Sequence, residues 1–185
     1  MRSEVHVHGS IFLCKGVRLK QVELALKPWL EYLEVDTLVE AKSVEQDEAG
    51  IHFDPRERTV NICWTGEVDA QFQEKLSISL QNIGPLSEYA SEIEVIYYNE
   101  LTDDEVFQVF VGPSPEAIQE FRRQCVIEDA TDLLSRHLNK SAVDQVANLI
   151  NELFVKEQSA KSSTTTDSSA PSSVIPLHPR NKHLH

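Results

Sequence analysis

The chain has 185 residues, 41% of them hydrophobic and 25% charged, which excludes wholesale disorder and allows one domain with a sizeable core plus an appendage. Its formal net charge of −13 is unevenly spread: residues 1–157 carry 14 Lys and Arg against 29 Asp and Glu, net −15, and residues 158–185 carry three against one, net +2. An acidic body of this kind repels phosphate backbones, so no nucleic-acid partner is expected.

No apolar run approaches the roughly 20 residues of a membrane span. The start MRSEVHVHGS lacks the basic and apolar regions of a signal peptide, so a cytoplasmic protein without membrane contact is expected. Cys14, Cys63 and Cys125 form no CxxC pair and read as reduced, mostly buried thiols.

In chain order, EVHVHGSIFL (4–13) alternates as a strand, with Val5, Val7, Gly9 and Ile11 on one face and His6, His8, Ser10 and Phe12 on the other. Residues 17–33 place Val22, Leu26, Trp29, Leu30 and Leu33 at helical spacing, and Pro28 is expected to kink that helix or weaken its middle turn. The stretch 36–45 is read as an extra strand or a helical turn, and the acidic cluster Glu45–Glu48 as a solvated turn. GIHFD and TVNICWTG then form a hairpin, with Val60, Ile62 and Trp64 alternating against Asn61, Cys63 and Thr65.

Asp69 is expected to cap a helix whose stripe is Phe72, Leu76, Leu80 and Ile83, ended by Gly84-Pro85. Strands at 91–101 and 105–112 follow, joined by the acidic turn 101–104. Ser114-Pro115-Glu116 is a strong helix start, with the helix running to about Leu138. Ser141 to Asp144 resembles a capping box for a last helix with an apolar stripe of Val143, Val146, Ala147, Ile150, Leu153 and Phe154. Residues 159–173, SAKSSTTTDSSAPSS, cannot bury enough surface to order and read as a linker to the terminal peptide VIPLHPRNKHLH.

The element order predicts an α+β fold, a ferredoxin-like (split βαβ) antiparallel sheet with one extra strand, followed by a C-terminal helical hairpin. The corresponding parts are an α/β sandwich at 1–113, the hairpin at 114–157, and a disordered linker and peptide at 158–185. In this topology His6, His8 and Cys63 share the sheet face away from the first helices, with Glu94 or Tyr98 nearby. Imidazole, thiolate and carboxylate together suit zinc, with His6 and His8 as its ligands. Alternatively, both histidines are hydrogen-bonded across the sheet.

GxSxG, GxxxxGK and GxGxxG are all missing from the sequence, so catalysis is not expected. The leading expectation is a non-enzymatic acidic interaction or regulatory protein with a protein partner, or a homo-oligomer. Its contacts would come from Val143, Val146, Ile150, Leu153 and Phe154, or from the open sheet face. The alternatives are a metal-binding protein or metal-dependent enzyme centred on the HxH strand, and an acidic nucleic-acid mimic that occupies the groove of a DNA-binding protein or nuclease.

Overall fold

The structure, a computed structural model, describes residues 3–99 and 103–162, with side chains to residue 157. Part of the acidic turn and most of the linker and terminal peptide therefore lie outside the described residues. The elements are β1 (Ser3–Phe12), α1 (Leu19–Ala25), α2 (Lys27–Tyr32), β2 (Gly50–Asp54), β3 (Thr59–Val68), α3 (Phe72–Ile83), β4 (Ser91–Tyr97), β5 (Glu105–Val111), α4 (Pro115–Ser135) and α5 (Lys140–Ser162). Residues 3–118 form one compact unit and residues 119–162 a second.

The first unit is an α+β arrangement on a five-stranded open sheet of order β2-β3-β1-β4-β5, with every neighbouring pair antiparallel. β1 is central because it can pair on both edges: Ser3 to Phe12 runs against Val68 to Thr59, and Val5 to Gly9 against Tyr97 to Ile93. Strand alternation then decides the faces. Val5, Val7 and Ile11 are buried with Val60, Ile62 and Trp64 in one core that also takes in Val22, Leu26, Trp29 and Leu30 from the first helices and the whole expected stripe of α3.

The effect at Pro28 is larger than a kink: the expected helix is two helices. α1 ends at Ala25 and α2 restarts with Pro28 in its first turn, where a missing N–H costs nothing. The break is stabilised from α3: the Trp29 N–H donates to Ser79 Oγ at 2.9 Å, deep in the core. Trp64 stacks on Phe72 with ring centres 5.7 Å apart, meets Trp29 edge-on, and donates from its indole N–H to the Lys42 carbonyl at 3.0 Å.

Several sequence expectations are corrected. Residues 36–45 are neither strand nor helix; the segment is irregular, held by the buried side chains of Leu38 and Ala41. It enters β2 through Gly50, whose φ of +73° and a Cβ position only 2.6 Å from the Ala41 carbonyl oxygen both call for glycine. Asp69 does not cap α3. Its carboxylate instead accepts the Gln71 N–H and the Tyr32 hydroxyl in the turn before the helix, and α3 starts at Phe72.

Ser141 is not the cap of α5 either. Asn139 Oδ1 takes the Ala142 N–H at 3.0 Å, so the helix starts at Lys140. α4 ends at Ser135 rather than near Leu138, and α5 continues to Ser162, past the start of the expected linker. At the head of α4 the Ser114 hydroxyl does accept the Ala117 N–H, at 3.2 Å.

In the second unit the Arg123 guanidinium on α4 donates to the carboxamide oxygen of Asn151 on α5, and also pairs with Glu120 on its own helix. Within the expected α5 stripe Val143 is buried and Val146, Ile150 and Phe154 are half-buried, whereas Leu153 is 55% exposed. Leu153 belongs to a different line of the helix, above Leu149, four residues earlier and also exposed. None of the described helices is long and apolar enough to cross a membrane.

Candidate functional site

The sheet face opposite α1–α3 carries His6 and His8 from β1 and Asn61, Cys63 and Thr65 from β3, as alternation requires. His6 lies directly across from Thr65, and His8 across from Cys63. The two imidazoles stack with centres 5.7 Å apart, but their surroundings differ sharply. The side chain of His6 is 16% exposed, and its Nδ1 lies 2.8 Å from Thr65 Oγ1 and 3.2 Å from Glu48 Oε1. His8 is 54% exposed, and its nearest charged partner is Glu94 on β4, at 3.8 Å.

The residue the sequence did not flag is Glu48. Far from sitting in a solvated turn, it is as enclosed as His6 and has both carboxylate oxygens occupied: Thr65 Oγ1 donates to Oε1 at 3.1 Å and Ser43 Oγ donates to Oε2. Ser43 fastens the whole segment to β3, because its hydroxyl also receives the Thr65 N–H at 2.9 Å while the Val44 N–H reaches the Thr65 carbonyl at 2.9 Å. Only two local signals pointed this way, a serine five residues before Glu48 and the lack of any periodicity that would tie 36–49 to a regular element.

Thr65 Oγ1 thus bridges the two side chains, within hydrogen-bond distance of both His6 Nδ1 and Glu48 Oε1. One donor atom each from His6, Glu48 and Cys63 then lies within 4.8 Å of the other two. Of the expected ligands, His6 and Cys63 are brought into this cluster and His8 is not.

The electrostatics are those of a cation-attracting pocket. Burial pushes the Cys63 thiol up, and the carboxylates of Glu48 and Asp47 push it further. The phenol of Tyr98 is also raised, first by burial and then by Asp104, Glu4, Glu48 and Glu45. A raised thiol is the opposite of what a cysteine nucleophile needs, since the thiolate is the reactive form. Contrary to the expectation of mostly buried thiols, Cys14 is exposed and Cys63 and Cys125 are half-buried; none of the three is in a disulfide.

An open cleft beside β2, lined by Leu19, Val39, Val44, His52 and Phe53 among others, reaches Ser43 and Glu48 of this cluster. A smaller apolar cavity lies between α3 and the β4–β5 strands, against Leu76, Leu80, Val95 and Phe107.

Fold and face together define an α+β protein that carries a polar cluster of imidazole, carboxylate and thiol on the face of a five-stranded antiparallel sheet opposite α1–α3. The chain belongs to a family of unknown function, DUF6806, which matches residues 3–155. No curated protein matches it, and neither does any solved structure.

Proposed function

We propose that this is a non-enzymatic acidic interaction protein acting through protein–protein contacts, built as a ferredoxin-like split βαβ sheet with an added edge strand and a C-terminal helical hairpin. The strand order with β1 between β3 and β4, and helices following β1 and β3, supports the first part of that description. The Arg123–Asn151 link between α4 and α5 supports the second.

The observation that carries the functional reading is the apolar surface left on the two long helices. Val126 and Leu133 on α4 and Leu149 and Leu153 on α5 are all exposed. Single exposed apolar side chains are ordinary, but several on two consecutive helices mark a contact surface. A second copy of the chain is the simplest occupant, since homo-oligomers are the commonest soluble assemblies.

Co-purification tests this. A copy carrying one tag should retain a second copy carrying another, and Leu149→Glu with Leu153→Glu should abolish that retention without altering the fold, because neither side chain is buried. Retention that survives both substitutions, or a wild type that retains nothing, refutes the proposal.

A further inference from the structure

We propose that His6, Glu48 and Cys63 form a binding site for a single zinc ion on the open face of the sheet, a site independent of the helical contact surface. The residue types are those zinc prefers, nitrogen, oxygen and sulfur from three side chains, leaving a fourth position for water. The geometry is nearly assembled. His6 Nδ1 and Glu48 Oε1 are 3.2 Å apart, close to the about 3.3 Å expected between two ligands on one tetrahedral ion with bonds of about 2.0–2.1 Å. The Cys63 sulfur completes a set confined within 4.8 Å.

The ligands come from three different parts of the chain, β1, the 43–48 segment and β3. Each is held by structure that a merely surface cluster of acids lacks. His6 and Cys63 are fixed by strand register, and Glu48 by hydrogen bonds from Ser43 and Thr65, the kind of outer partner that orients metal-binding carboxylates.

The carboxylates of Asp47, Glu45 and Glu4 act on side chains of the same face and add negative potential there. On binding, the Cys63 thiol releases its proton to solvent as the sulfur–metal bond forms. His6 ligates as the neutral imidazole through the ring nitrogen that carries no proton.

Cobalt(II) substituted for zinc gives a readout specific to the thiolate. The full-length chain, purified untagged and stripped with chelator, should take up one cobalt with a sulfur-to-metal charge-transfer band and tetrahedral visible bands, both displaced by zinc. Zinc should also raise its melting temperature. Cys63→Ser should lose the charge-transfer band, and Cys14→Ser, which alters an exposed thiol outside the cluster, should keep it.

If Cys63→Ser melts early even in chelator, Glu48→Gln carries the test: the band should persist but require at least tenfold more cobalt. A folded wild type without the band, a band that survives Cys63→Ser, or an unchanged affinity in Glu48→Gln would overturn the proposal.

Discussion

Replacing Gly66 by alanine tests how tightly the core is coupled to the open face. Gly66 has a backbone conformation open to any residue, so in an ordinary strand the change would stabilise by about 0.5–1 kcal/mol, because glycine loses more freedom on folding. Here the sign reverses. The added Cβ would fall 2.5 Å from two ring atoms of Trp64, far inside contact distance, and the indole has little room to retreat. It stacks on Phe72, meets Trp29 edge-on, and holds the Lys42 carbonyl.

Overpacking of this kind costs about 1–3 kcal/mol. Losing the indole hydrogen bond to Lys42 adds about 1 kcal/mol. After subtracting the intrinsic gain, a net loss of about 1–3.5 kcal/mol is expected, equivalent to a fall of roughly 2–14 °C in melting temperature for a chain of this length. Urea denaturation followed by circular dichroism would measure it. In a Trp64→Leu background, which lacks the clashing ring atoms, Gly66→Ala should cost at least about 1 kcal/mol less. An unchanged or raised stability in the wild-type background, or an equal cost in both backgrounds, would refute the packing argument.

Three further outcomes follow from other contacts. Ser79→Ala removes one of the two acceptors of the buried Trp29 backbone N–H, which keeps the Leu26 carbonyl at 3.0 Å, and should cost about 0.5–1.5 kcal/mol in urea denaturation, whereas a loss within error would mean that the Ser79 hydroxyl adds nothing to the break between α1 and α2. Asn139→Ala removes the cap of α5 and should cost about 1 kcal/mol, read as a lowered melting temperature and helicity; no change would return the cap to Ser141.

Burial, followed by Tyr32 and Glu105, raises the Tyr97 phenol above its ordinary value of 10.0, so the folded state holds this proton longer than the unfolded state. Its stabilising contribution is therefore complete below that pH and shrinks as pH rises through the folded value. Tyr97→Phe should flatten the alkaline fall in urea midpoint, and an identical fall in both proteins would contradict the assignment.

Much of the sheet was readable because alternation is a local signal. Val5, Val7 and Ile11 against His6 and His8, and Val60, Ile62 and Trp64 against Cys63 and Thr65, determine which face is buried once the strands pair. Pro28 and Ser114 were readable because proline and a capping hydroxyl act within one turn. Glu48 was not, since its place depends on Ser43 and Val44 meeting Thr65 about twenty residues away, a contact between an irregular segment and a strand that no periodicity encodes.

The pairing of His6 with His8 misled for a related reason. Alternation puts both on one face but does not say that one turns toward Glu48 and the other toward Glu94. Helical spacing placed Leu153 in one stripe with Val143 but does not say that Val143 is buried while Leu153, beside Leu149, is exposed.

The central functional claim, that the exposed apolar sides of α4 and α5 are a contact surface, is tested most directly by light scattering on the purified full-length chain over a range of concentrations. A mass rising above the 20.9 kDa of one chain, and returning to it in the Leu149→Glu, Leu153→Glu variant, is the predicted result. A wild type that stays at 20.9 kDa at every concentration, or an assembly indifferent to both substitutions, would contradict it.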